Sequence, residues 1–260
     1  MIEEPYRWVE AIANRREYID TQLSAGRPIV ALSYAEGVLF VTLGQTRQKV
    51  FEIYDRIAMG AIGHPGDIER LRMAAIEVAS TEGFTRSAVD VSLRRLAHYS
   101  LSPVLKMAFE QVYGAPYLAR LLFAEIGATP ADDLFLRMEY DGAISTNGGI
   151  AGTTRAAFAT ISGTQESTAA METFLRAEHH ASARFASVLK TALRASAIGG
   201  WASDDLSAAV ETPPREQLDA AWRTQLAAVG VEAAILERTS ERAIRYRAVT
   251  DAEIQAALGD

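Results

Sequence analysis

The sequence predicts an α+β protein: a layered sandwich of largely antiparallel sheets with helix pairs packed outside them. Three observations predict it. Strand-like runs arrive in hairpin pairs rather than alternating singly with helices. Segments of helical periodicity come in pairs between those runs. The composition, 49% apolar and 23% charged over 260 residues, is that of an ordinary globular chain with a sizeable core.

Taken in order, Pro5 stands where an N1 proline would, and Trp8, Ile12, Ile19 and Leu23 recur at helical spacing until Gly26, so 5–24 reads as an amphipathic helix. Ile29–Tyr34 and Val38–Val41 are β-rich runs around Ala35-Glu36-Gly37, a hairpin loop whose glycine is able to take φ > 0. Val50–Tyr54 and Ile57–Ile62 repeat the signal around Asp55-Arg56, and the second run is apolar on both faces, as a central strand beneath helices is. From Asp67 the period changes. Ile68, Leu71, Ala75, Val78 and Ala79 mark one helix; Val89, Leu93, Leu96, Leu101, Leu105 and Phe109 mark another, with Pro103 a candidate bend.

Strands return at Leu118–Ile126 and Leu134–Tyr140, separated by the turn-like Gly127-Ala128-Thr129-Pro130. Gly142–Thr154 reads as loop and Phe158–Ile161 as a weaker strand. Helical spacing resumes over Thr168–Arg176 and Ala183–Leu193, and 196–214, with its glycines and prolines, reads as an irregular surface loop. Gly148-Gly149 and Gly199-Gly200 read as loop hinges. Val229–Leu236 and Ala243–Ala248 close as a strand pair, followed by a terminal helix over 251–258. No composition shift or internal repeat divides the chain, so 1–260 reads as a single domain.

Charge and cysteine usage narrow the function. Lys plus Arg total 26 against 33 Asp plus Glu, a net charge of −7, with no basic stripe to replace phosphate counterions, so no nucleic acid is expected as a partner. No apolar run has the length of a membrane span, and the acidic start Met1-Ile2-Glu3-Glu4 lacks the order of a secretory signal, so neither membrane nor export is expected. With no cysteine there is no disulfide, thiolate ligand or Cys nucleophile, which agrees with a cytoplasmic protein.

Chemical motifs are scarce. His64, His98, His179 and His180 show no metal-ligand spacing, so no metal is expected, and His179-His180 reads as a solvated helix end. There is no GxSxG, no Walker A loop and no strand-linked GxGxxG, so no cofactor is implied. Lysine occurs only at 49, 106 and 190. Lys49 opens a strand, where three roles stay open: catalytic amine, anion-binding point charge or strand-edge solubiliser.

The run Ile29-Val30-Ala31-Leu32-Ser33-Tyr34-Ala35-Glu36-Gly37-Val38-Leu39-Phe40-Val41, then Gln48-Lys49-Val50-Phe51-Glu52-Ile53-Tyr54-Asp55-Arg56, resembles the opening strands of bacterial 20S proteasome α-type subunits. The resemblance continues through Ala61-Ile62-Gly63, Ala79-Ser80-Thr81-Glu82-Gly83-Phe84, Tyr140-Asp141-Gly142, Ile161-Ser162-Gly163-Thr164, Leu193-Arg194-Ala195 and Gly230-Val231-Glu232-Ala233-Ala234-Ile235-Leu236. It spans nearly the whole chain, and 5–24 matches the N-terminal helix that α-type subunits have and β-type subunits lack.

The resemblance implies a four-layer αββα sandwich of the N-terminal-nucleophile hydrolase type. In catalytic β-type relatives a processed threonine opens the first strand, an acidic residue ends the second and a lysine starts the third. Those positions fall here at Arg27, near Leu43 and at Lys49, so no catalytic residue is implied and the chain is expected to hydrolyse no peptide by itself. An internal arginine cannot supply a terminal α-amine as base. What is implied instead is a component of a threonine-type endopeptidase complex. The resemblance implies an α subunit of a seven-membered ring that stacks on β-type subunits, gates access of unfolded protein substrates and docks a hexameric ATPase activator. By the same resemblance residues 1–26 are expected to be the gate segment and the ring and activator face, with Met1, Ile2, Glu3 and Glu4 as the gate and Trp8 and Tyr18 on the helix. So short a tail implies a less occluded pore. The lysine matching Lys49 pairs with the activator's terminal carboxylate, and His64 and Pro28 line the same pocket by position. Segment 141–157 is longer than the family's turn. The alternative is a divergent N-terminal-nucleophile amidase or self-compartmentalising protease activated by internal cleavage before a Ser or Thr, although Ser33 and Thr42 lie inside strands.

Overall fold

A computed structural model describes residues 5–44, 47–111, 113–147, 155–204, 213–240 and 244–259. The expected gate residues Met1–Glu4, part of the 141–157 segment including Gly148-Gly149, and residues 205–212 lie outside the described residues. Two antiparallel sheets stack face to face. The first runs in the order β10-β9-β2-β1-β8, from Ile29–Tyr34 (β1), Gly37–Leu43 (β2), Phe158–Ile161 (β8), Val231–Glu237 (β9) and Tyr246–Ala248 (β10). The second runs β3-β4-β5-β6-β7, from Val50–Tyr54 (β3), Ile57–Gly63 (β4), Ala119–Glu125 (β5), Leu134–Met138 (β6) and Ile144–Thr146 (β7). The two expected hairpins are present, one in each sheet.

Alternation along the strands builds three apolar layers. Ile29, Ala31, Phe40, Leu122, Phe135 and Leu236 fill the space between the sheets. Val30, Leu32, Leu39, Val41 and Ile235 face the helices Gln165–Glu178 (α5), Phe185–Asp204 (α6), Arg215–Val229 (α7) and Asp251–Gly259 (α8). Met59, Ala61, Leu121, Phe123 and Leu136 face Pro65–Thr85 (α2) and the segment Leu93–Glu110. Pro5–Leu23 (α1) crosses one end, burying Ile19 and Leu23 against Phe109 and Tyr140 while Trp8 and Tyr18 stay exposed. The α+β four-layer sandwich expected from the sequence is the observed architecture.

Several local expectations need correction. Gly37 does not take positive φ; it begins β2 after a two-residue turn, and a Cβ there would stand 2.2 Å from the Leu236 carbonyl oxygen, so glycine is required for the close approach of β9. The second mid-chain helix does not begin at Val89. A 3₁₀ turn over Ala88–Asp90 precedes Leu93–Arg95 (α3), a π-helical stretch over Leu96–Leu101 and then Ser102–Glu110 (α4), whose first turn holds Pro103. The irregularity lies before the proline because Pro lacks the N–H that would continue the α-helical ladder. Residues 196–204 are not loop but the end of α6, and α7 was not anticipated at all. Gly199 is no hinge: it sits inside α6, where a Cβ would stand 2.7 Å from Pro28 Cγ and 2.6 Å from Met171 Sδ. Ile144–Thr146 is a strand rather than loop. His179 is no solvated helix end either; it closes α5 half-buried, a ring nitrogen 2.9 Å from the Ser33 carbonyl, edge-on to Phe158, and burial lowers its pKa.

Candidate functional site

The starts of β1, β3 and β9 and the ends of β2 and β4 meet at one end of the sandwich, because each pair is antiparallel with little stagger. Ile29 lies opposite Thr42, Leu43 opposite Val231, and the Lys49 carbonyl accepts the Ala61 N–H at 2.9 Å. Lys49 immediately precedes β3. Its backbone N–H donates to both carboxylate oxygens of Glu232, at 2.9 and 3.1 Å, and the Val50 N–H donates to one of them at 2.9 Å. Glu232 belongs to β9 of the first sheet and Lys49 leads into the second, so this carboxylate ties the two sheets together. Tyr246 Oη donates to the Val50 carbonyl at 2.9 Å and secures the same corner.

Electrostatics follow from the burial. Desolvation pushes the half-buried Lys49 ammonium below the ordinary lysine value, the Arg27 guanidinium acts in the same direction, and Glu232 opposes them. Desolvation likewise raises the Glu232 carboxyl against the two N–H donors and the lysine charge. The carboxylate accepts the backbone donors and also feels the lysine charge, so Glu232 serves both the main chain and the ammonium at this end.

The other residues singled out in the sequence fall nearby in different settings. His64 is exposed at the N-cap of α2; its backbone N–H donates to the Leu118 carbonyl at 2.8 Å, and its side chain makes no capping bond. Pro28 is buried, its ring against Gly199 on the helix side of the sheet and its carbonyl accepting Thr42 Oγ1 at 2.8 Å. The ring therefore adds no exposed surface to this end. Arg27 is exposed beside Gly44, and Leu43 is buried beneath the helices.

Two residues at this end were missed. Glu232 is the one charge inside the apolar run Val231–Leu236, and Arg120 interrupts the apolar run Leu118–Phe123; a charge inside an apolar run is the signal that could have found them. Arg120 is buried. Its guanidinium donates to Asp20 of α1 and Glu139, both at 2.7 Å, and to the Gly163 and Ser162 carbonyls at 2.6 and 3.2 Å. One side chain thus fixes α1 and the β8–α5 connection.

A family model described as Proteasome subunit matches residues 23–196. The chain belongs to the proteasome subunit family, α type. It is 34% identical to "Proteasome subunit alpha" of Parafrankia sp., over 92% of this chain and 89% of that one. Identity is 32% with the protein so named in Actinosynnema mirum (96% and 85% covered) and 30% with that of Kineococcus radiotolerans (90% and 88%). In this α-type proteasome subunit no helix of the described residues is long and apolar enough to cross a membrane.

Proposed function

We propose that this α-type subunit is a catalytically silent ring component of a proteasome core particle. It forms the outer seven-membered ring, stacks on threonine-protease β-type subunits, gates access of unfolded substrates with Met1–Glu4, and docks the C-terminal tails of a hexameric ATPase at Lys49. The observation that carries the docking role is the half-buried Lys49 ammonium, beside Arg27, whose neighbouring carboxylate Glu232 also accepts backbone N–H groups. A desolvated cation beside a second cation favours an incoming terminal carboxylate, which offsets the cost of its burial. Silence is supported by Arg27 at the position where a nucleophile would open the first strand. It is supported further by Ser33 and Thr42, both wholly buried within β1 and β2, where no new N-terminus can form without dismantling the sheet.

The test is co-expression with the host's β-type subunit and addition of its proteasomal ATPase. Lys49→Ala is expected to leave particle size by native mass spectrometry unchanged and to abolish ATPase-dependent stimulation of protein degradation. Undiminished stimulation reduces Lys49 to a surface lysine.

A further inference from the structure

We infer that Glu232 is the positioning residue of this site: by capping the backbone N–H groups of Lys49 and Val50 it fixes where the lysine is presented. The inference rests on the docking role just proposed for Lys49 and names the residue on which that role depends. Three features carry it. First, the bonds are to main chain. Glu232 accepts Lys49 N–H with both oxygens and Val50 N–H with one, at 2.9–3.1 Å, which orients the peptide plane at the root of the lysine side chain. Second, the other bonds at this corner hold carbonyls, not the N–H groups: Ala61 donates to the Lys49 carbonyl, and Gln48 and Tyr246 donate to that of Val50, so without Glu232 the Lys49 and Val50 N–H groups lose the acceptor they have among the described residues. Third, Glu232 occupies a strand position whose neighbours Ala234 and Leu236 fill the space between the sheets, a place for an apolar residue. A half-buried charge there is costly unless paired, and it is paired with the Lys49–Val50 backbone.

Main-chain capping differs from direct ligation. The carboxylate of Glu232 would repel an incoming carboxylate if it pointed freely into the site; held by N–H donors, it acts on the tail only through the place and freedom it gives Lys49. Glu232→Gln keeps the size but offers one acceptor oxygen in place of two and brings an NH₂ group toward a backbone donor. The start of β3 then loosens, and the lysine loses its fixed origin.

The experiment uses the assembled particle with its β-type partner and the synthetic C-terminal tail peptide of the host ATPase, as free acid and as C-terminal amide. Wild type is expected to bind the acid and discriminate against the amide, and Lys49→Ala to lose that discrimination. Glu232→Gln is expected to assemble normally and weaken acid binding about tenfold, ~1.4 kcal/mol. Amide hydrogen exchange of Lys49 and Val50 is expected to accelerate while that of the β4 strand stays at the wild-type rate, a local change that general destabilisation would not produce. Should Glu232→Gln fail to assemble, Glu232→Asp, one methylene shorter, is read the same way. Unchanged acid binding and unchanged exchange at Lys49 and Val50, with Lys49→Ala still inactive, overturn the role of Glu232 and leave the docking reading standing. Acid binding that survives Lys49→Ala overturns both.

Discussion

Lys49 sits where an amine is expensive to keep. Its pKa is lowered first by desolvation and then by Arg27, so the protonated form is disfavoured in the folded chain relative to the unfolded one. The sign is fixed by that depression: stability rises as pH climbs toward the ordinary lysine value, and at neutral pH the charge counts against folding. Lys49→Met, similar in length and apolar, is therefore expected to raise the melting temperature of the purified chain at neutral pH by about 2–4 °C while removing tail docking. A lower melting temperature in calorimetry would assign Lys49 a structural role instead. His64 and Pro28, carried over by position, occupy different settings: one is an exposed helix cap and the other packs its ring against α6.

The C-terminal half of α6 and the whole of α7 show how far helical periodicity alone falls short: the spacing over Ala183–Leu193 marks the start of α6, but its continuation to Asp204 and Arg215–Val229 are not marked. The first turns of α6 keep a polar stripe of Ser187, Lys190 and Arg194, but 195–199 is buried on every side, so that part of the helix has no polar face and the Gly199-Gly200 pair reads as loop. α7 is held on it by a two-pronged pair: Arg194 Nε and Nη2 donate to Asp219 at 2.7 and 2.8 Å, and Trp222 Nε1 donates to the same carboxylate at 2.9 Å. Those donors, chiefly Arg194, pull the Asp219 pKa down to about 2. A depressed carboxyl contributes stability that is complete above its unfolded value near 3.8 and is lost as pH falls from there toward 2. Asp219→Asn is expected to cost on the order of 1 kcal/mol at pH 7, allowing for solvent screening of a partly exposed pair. It is also expected to flatten the drop in urea midpoint between pH 4 and pH 2; an unaltered acid slope would mean that the pair does not anchor α7.

On the scale of the whole molecule, charged clamps among the described residues join the sheets at opposite ends. Glu232 does so beside Lys49. At the other end Arg238, just past β9, reaches Asp133 with two bonds of 2.9 and 2.8 Å and also donates to the Gly127 and Tyr34 carbonyls, while Asp133 accepts the Gly127 N–H at 2.8 Å. Asp133 is wholly buried and Arg238 nearly so. Removing one partner strands the other, so Asp133→Ala is expected to cost about 3–5 kcal/mol, read as a large shift of the denaturant midpoint with unchanged slope. A shift below about 1 kcal/mol would show the clamp to be dispensable. Local pattern in the sequence was enough for the class of fold, the hairpins at 29–43 and 50–63 and the buried strand at 57–62, because period and turn chemistry act over a few residues; the family rested instead on the resemblance of whole runs such as 29–41 and 48–56. It was also enough to single out Lys49, one of only three lysines, at a strand start. Only the tertiary structure decided which charges meet. Glu232 and Lys49 are 183 residues apart, Arg120 and Asp20 are 100 apart, and Arg238 and Asp133 are 105 apart. Such contacts follow from how two sheets stack and where helices cross their ends, and no spacing along the chain encodes them.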